Sequence, residues 1–451
     1  MMPGIASVIV SLLVAAAPKV DETKDLVRGK VGERVAAFVR GAESVGYEGA
    51  VLAAVDGEVV LAIGVGSADL EGAVPNTPAT LFEIASATKQ FTGAAAAKLF
   101  QARKLDLDDS IADHLPGVPD DCRGITVRHL LRHTSGIPGT NSKGGGDDLA
   151  AVLPLFLAGG PVHPPGEHWE YWNQGYALAS EIVARASGRS YVEFCEKELF
   201  RPAGMKSTGF TGDAPPRGAA VAIGRSARGA PRSAFEHPYG SYGFQYRGMG
   251  GAVTNVWDLW RWDRALDGKK ILKGKAKEAL FEPGPNDYAL GWTVRRNERG
   301  RIVHSHGGAV RGFVCDVRRF PERDGAVFVL SCRDDAEVRR IADGIEEALF
   351  GDPPSIEPTP RPLDDVLLGA VAGRYEDDRG AAVVVRTDGG VARAEIHWSP
   401  GGSVSHGFLG LDEDGGVVYY HWTGAPAVRV ERDGATVAAL SVESRRFRRA
   451  P

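Results

Sequence analysis

The chain has 451 residues, 43% hydrophobic and 25% charged, which is an ordinary globular composition and enough length for more than one domain. A formal net charge of −5 argues against nucleic acid as a partner. The one dense basic cluster, Arg445-Arg446-Phe447-Arg448-Arg449, reads as a solvated tail, and the four cysteines form no Cys-x-x-Cys pair that would suggest zinc or redox chemistry.

Ile5 to Ala17 is an apolar run ending in Ala15-Ala16-Ala17, shaped like a secretory leader with a small-residue cut site. It has no preceding Lys or Arg, and it is shorter than the ~20 residues a membrane span needs. Residues 1–17 are therefore expected to be a signal peptide, with no stable membrane span. The mature protein would be secreted or periplasmic, at a bacterial cell envelope. Asp21 to Glu43 carries valines at helical spacing and predicts an amphipathic helix. Gly49 to Val55 and Glu58 to Val65 flank Asp56-Gly57, a hairpin signal.

The stretch Phe82 to Phe91 then leads into Ala94-Ala95-Ala96-Ala97, which predicts a buried helix starting at or just after Ser86. Residues 105 to about 290 read as helical and loop-rich. Strand character returns in Gly291 to Arg295, Arg301 to His306, Phe313 to Arg318 and Ala326 to Cys332, and Ala336 to Phe350 closes with a helix. Strands at both ends around a helical insertion predict one mixed α/β (α+β) domain over 18–350, its sheet joining the two ends. Cys315 and Cys332 lie on successive apolar runs that could face each other across a hairpin, as buried free thiols or a disulfide. Residues 351–362 form a proline-rich linker, a boundary that few contacts should cross. From 363 to 451, short apolar runs alternate with Asp-Gly turns, predicting a small antiparallel β-barrel.

Ser86 and Lys89 form the only Ser-x-x-Lys in the chain. Residues three apart share one helical face, so an amine can reach the serine hydroxyl and, if burial lowers its pKa, take its proton. Alone such a pair is expected by chance. Two further stretches accompany it in order: the only Tyr-x-Asn, Tyr171-Trp172-Asn173, and His306-Gly307-Gly308 at a strand end. Taken singly, Tyr171 beside two tryptophans could be core packing, and His133, in Leu130-Leu131-Arg132-His133-Thr134-Ser135-Gly136, reads as a structural histidine in a tight turn. His304 and His306 lack the following Asp or His of a metallo-hydrolase, and there is no Gly-x-Ser-x-Gly.

Ser-x-x-Lys, Tyr-x-Asn and basic-x-Gly in this order resemble the signature of the penicillin-recognising serine hydrolases, in the branch of class C β-lactamases, D-alanyl-D-alanine carboxypeptidases, D-aminopeptidases and related esterases. The resemblance runs from about Val20 to Phe350 and includes His133 to Gly136 and Gly248 to Val253. It implies the β-lactamase/DD-peptidase fold, an antiparallel sheet flanked by helices with an all-helical lobe. The barrel resembles a lipocalin-like appendage of some relatives. The resemblance also implies a covalent acyl-enzyme acting on an ester or amide of a small-molecule or peptide substrate. In that reading Ser86 is the nucleophile, Lys89 its base and Tyr171 a partner base and acid. Asn173, His306 and Gly308 contact substrate, and the backbone N–H groups of Ser86 and Ala309 form the oxyanion hole. No metal or cofactor is implied. The rival reading is a non-catalytic protein that binds or senses cell-wall peptides.

Two departures carry expectations of their own. His306 stands where many relatives have lysine, so carboxylated substrates should be disfavoured above its ordinary pKa of ~6.5 and less so below it, unless Arg311 anchors the carboxylate. Trp172 stands where a small residue is usual, so a bulkier pocket wall is expected.

Overall fold

The structure is a computed structural model that describes residues 20–44, 46–140, 148–226, 229–239, 243–352, 361–388, 391–398, 404–411, 416–420, 428–433, 436–442 and 445–450. The expected leader and most of the proline-rich segment lie outside these.

Seven strands form the main sheet: β1 (Leu26–Val27), β2 (Gly49–Val55), β3 (Glu58–Val65), β4 (Thr293–Arg296), β5 (Ile302–Val310), β6 (Phe313–Phe320) and β7 (Gly325–Ser331). Their order is β1-β3-β2-β7-β6-β5-β4, antiparallel throughout. N-terminal and C-terminal strands thus meet at the β2–β7 seam, as the sequence pattern anticipates. The β2–β3 turn has Asp56 at φ 52° and Gly57 at φ 77°, the left-handed pair a tight hairpin requires.

Strand periodicity divides the core. On β2, Ala50, Leu52 and Ala54 face one layer and Val51 and Ala53 the other. The second layer is helix α1 (Gly29–Ser44) with the C-terminal helix of the domain, Val338–Phe350, whose Val338, Ile341, Ala342, Ile345 and Leu349 recur at helical spacing. The first layer holds α2 (Lys89–Gln101) and α3 (Asn173–Ser187). Almost all of α2 is buried, and the small residues of Gly93 to Ala97 allow it. A Cβ on Gly93 would lie 2.0 Å from the Leu290 carbonyl oxygen. Phe91 fixes the helix between Phe200 and Trp262, with ring centroids 5.0 and 5.1 Å away.

Beyond the linker, eight antiparallel strands form a second sheet. It curls around a short helix, Asp365–Val371, whose Leu367, Leu368 and Val371 pack with Tyr375 and Phe447. Among the described residues its edge strands, Val417–Tyr420 and Val428–Asp433, share no hydrogen-bonded ladder, so the expected antiparallel barrel takes the form of a curled half-barrel. The supposed basic tail is a strand of it. Arg445–Arg449 pairs with Thr436–Val442 and with Gly373–Glu376, its Phe447 buried and Arg446 bonded to Glu431.

Two other expectations change. The boundary is crossed by more than a few contacts: Arg393 donates to Gly46 O at 2.8 Å and to Asp335 Oδ2 at 3.2 Å, and Phe408 packs into the α1 layer. Cys315 stands opposite Leu330 and Cys332 lies past the end of β7, so the two do not face each other across the hairpin, while both are the buried free thiols that were expected.

Candidate active site

Ser86 lies in a 3-10 turn, Ala85–Thr88, that runs directly into α2. The Ala87 N–H donates to Ile84 O at 3.0 Å, and Ala85 adopts φ 43°, a left-handed conformation costly for a residue with a Cβ. β5 presses against this turn at Gly308. A Cβ there would lie 2.1 Å from Ile84 O, so only glycine lets the strand approach the nucleophile this closely. Thr88 Oγ1 accepts the Ala252 N–H at 2.9 Å and ties the turn to the Gly250-Gly251 segment.

Lys89, the first residue of α2, is wholly buried. Its Nζ lies 3.1 Å from Ser86 Oγ, 2.8 Å from Asn173 Oδ1 and 2.7 Å from Met249 O. Among the described residues no carboxylate bonds to it, and burial holds its pKa well below the ordinary value. A neutral amine has two N–H bonds. Asn173 Oδ1 and Met249 O can accept only, so they take both, which leaves the lone pair turned to the Ser86 hydroxyl. Such an arrangement can receive that proton without first losing one to water.

Tyr171 and Asn173 stand at the entry to α3, on either side of its N-cap residue Trp172. Lys89 Nζ sits 5.0 Å from the Tyr171 ring centroid. Burial pushes the Tyr171 phenol up to about 12, against a smaller lowering effect of its hydrogen bond with Ser86. Burial thus disfavours the charged form of both groups, and the Tyr171 phenol holds its proton near pH 7. Trp172 is 1% exposed and belongs to the core, so it is not the pocket wall that its position in the motif suggested.

His306 also departs from expectation. With Gly308 and Val310 it lies on the buried side of β5, while Gly307 and Ala309 face outward. Its Nε2 is 2.8 Å from the Tyr288 hydroxyl and its Nδ1 2.6 Å from Gly307 O. With Nδ1–H donated to the carbonyl, Nε2 accepts from Tyr288, and both nitrogens are engaged by the protein. Burial, then the proximity of Lys89, lowers its pKa to about 3, so the titration expected near neutrality does not occur.

Ser86, Asn173 and Ala309 open onto a cavity of about 220 Å³ that Gln174, Tyr239 and Tyr246 also line. Among the described residues no charged side chain lines it, and neither Arg311 nor His306 does. Gln174, Tyr246 and the Met249 carbonyl escaped the sequence reading. Gln174 follows Asn173 directly, but a backbone carbonyl leaves no trace in a sequence. Tyr246 stands behind Ser86 because Glu83, three residues before the nucleophile, accepts its hydroxyl and also pairs with Arg232. A larger cavity, about 430 Å³, lies at the seam with the half-barrel and shares none of these residues. Among the described residues no group of three His, Cys, Asp or Glu could hold a metal ion, and no helix is long and apolar enough to cross a membrane.

The profile of the β-lactamase family matches residues 35–351. Penicillin-binding protein 4* of Bacillus subtilis (strain 168) is 30% identical over 376 residues, spanning 76% of this chain and 82% of that protein. The octameric penicillin-binding protein homologue from Pyrococcus abyssi superposes with a TM-score of 0.61 at 25% identity, over 93% of this chain and 100% of that one. D-amino acid amidase from Ochrobactrum anthropi SV3, complexed with L-phenylalanine, gives a TM-score of 0.61 at 24% identity, over 72% and 99%, a likeness of fold. With the three motifs gathered around one serine, the chain belongs to the β-lactamase family, the penicillin-recognising serine hydrolases.

Proposed function

We propose that the protein hydrolyses uncharged esters or amides through an acyl-enzyme on Ser86. The observation that carries this is the environment of Lys89 Nζ, a buried amine within hydrogen-bond distance of Ser86 Oγ and of two acceptors, Asn173 Oδ1 and Met249 O, that in the neutral form would leave its lone pair for the serine proton. As Ser86 Oγ bonds to the substrate carbonyl carbon, its proton passes to Lys89 Nζ. The negative charge on the carbonyl oxygen is taken by the backbone N–H groups of Ser86 and Ala309. When the bond to the leaving group breaks, the Tyr171 phenol protonates the departing oxygen or nitrogen, and the Lys89 ammonium restores the phenol proton. Water then attacks the acyl carbon by the reverse sequence, and free Ser86 and a carboxylic acid result. The high phenol pKa supports Tyr171 as proton donor rather than as a base in the free enzyme.

Among the described residues the lining of the cavity is uncharged, which supports a neutral acyl group. The apolar run from Ile5 to Ala17 supports work outside the cytoplasm, at the cell envelope. The test is a panel of p-nitrophenyl esters, D-aminoacyl anilides and nitrocefin. Turnover of neutral esters or anilides is the expected result. No turnover of any of them, with no covalent adduct, would favour the binding or sensing protein instead.

A further inference from the structure

His133 does more than fill a turn. Its backbone carbonyl accepts the Glu170 N–H at 2.9 Å, and its Nδ1 accepts the Trp172 N–H at 3.1 Å. These bonds grip the residues on either side of Tyr171. The imidazole also lies against the Tyr171 ring, with centroids 4.2 Å apart and planes 37° from parallel. Tyr288 and Tyr176 hold the imidazole from other directions, at 4.7 and 5.1 Å. Neighbouring backbone bonds continue the grip: Gly166 N–H to Thr134 O at 2.8 Å and Val162 N–H to Gly136 O at 2.9 Å.

From these contacts we propose that His133 is a positioning residue that sets the Tyr171 phenol beside Ser86. This rests on the hydrolase reading above, in which Tyr171 moves a proton.

The side chain is specified closely. Accepting a backbone N–H at Nδ1 requires the proton to sit on Nε2, so the ring is the neutral Nε2–H tautomer. Among the described residues that buried Nε2 has no hydrogen-bond partner, a cost that a residue chosen only for packing would avoid. His133 is 2% exposed and adopts φ 58°, a conformation few side chains tolerate and Asn tolerates best. Burial disfavours the imidazolium, in keeping with Nδ1 as the acceptor of the Trp172 N–H. Leucine would remove the acceptor. Asparagine would keep an acceptor at the position of Nδ1 and the backbone conformation, but not the ring.

The experiment compares full-length His133→Leu and His133→Asn, each alone and combined with Tyr171→Phe, in steady-state ester hydrolysis. His133→Leu is expected to lower kcat by about tenfold or more, with KM within about threefold, because a displaced proton donor weakens the transition state and not binding. His133→Asn should recover to within about threefold of the wild type. In the Tyr171→Phe background neither change should add more than about twofold, since residues acting as one unit are non-additive. An undiminished His133→Leu effect in that background would overturn the proposal, as would an Asn variant no better than Leu. Should His133→Leu not fold, the Asn variant decides alone, and a loss in it as deep as that of Tyr171→Phe overturns it. Amide exchange of the segment 168–174 reads the grip without turnover. Equal protection in wild type and His133→Leu would contradict the clamp even if no substrate were found. Absence of turnover and of a Ser86 adduct in the wild type would instead overturn the hydrolase reading.

Discussion

Lys89 Nζ and Asn173 Oδ1 lie 2.8 Å apart across 84 positions of sequence. The contact joins the first turn of α2 to the first turn of α3 and fixes which way the amine turns its lone pair. Replacing Asn173 by Asp puts an anion at that distance, which favours the ammonium form of Lys89. The acid limb of kcat/KM should then move to higher pH, and activity at pH 7 should fall at least tenfold, about the effect of one pKa unit's shift carried past neutrality. A pH profile of ester hydrolysis checks this. An unmoved limb in Asn173→Asp would mean that Lys89 is not the group that must be neutral.

The burial of His306 leads to a prediction opposite in form to the one its sequence position suggests. A group held near 3 stays neutral over the whole working range. The ratio of kcat/KM for a neutral substrate over its carboxylated analogue should therefore stay flat from about pH 5.5 to 8.5, and favour the neutral substrate, because no cation among the described residues lines the cavity. A ratio that drops as pH falls through about 6.5 would show a histidine titrating against the carboxylate. A carboxylate preference lost in Arg311→Ala would place that side chain at the site after all.

Tyr171→Phe removes the proton donor and leaves the ring. We expect kcat to fall ~10²-fold or more with a smaller change in KM, the usual size of a proton-transfer contribution. The wild type should show no loss of activity from phenol ionisation until pH approaches about 12. Normal turnover by Tyr171→Phe would make Tyr171 a packing residue.

The seam with the half-barrel should matter for stability. Phe408 is 5% exposed in the α1 layer, so Phe408→Ala should cost ~3–5 kcal/mol in chemical denaturation. A chain ending at Phe350 should be less stable than the full chain for the same reason. A cost below ~1 kcal/mol would show that the contact is incidental and that the two parts fold independently.

Local signals were the readable ones. Ser86 and Lys89 are one turn apart, so their meeting follows from helix geometry. The Asp56-Gly57 hairpin and the valine-rich strands of the sheet follow from turn chemistry and apolar runs. What the sequence concealed depends on register and on backbone atoms. His306 lies on the buried side of β5 with Gly308, and Tyr288 and the Gly307 carbonyl engage its ring. Trp172 looked like a pocket residue because it stands where a small residue is usual in the motif, yet as N-cap of α3 it turns into the core. Arg445–Arg449 offers a single buried position, Phe447, too little alternation to read as a strand. The lone-pair direction at Lys89 depends on the Met249 carbonyl, which any residue type would supply.

The central claim is that Ser86, activated by Lys89, is the nucleophile. The direct measurement is intact mass and peptide mapping after incubation with a fluorophosphonate. One phosphonyl group should be added per chain, on the peptide that contains Ser86, and Ser86→Ala should gain none while remaining folded. Labelling of Ser86→Ala at the wild-type rate, or an adduct mapped to another residue, would contradict the account.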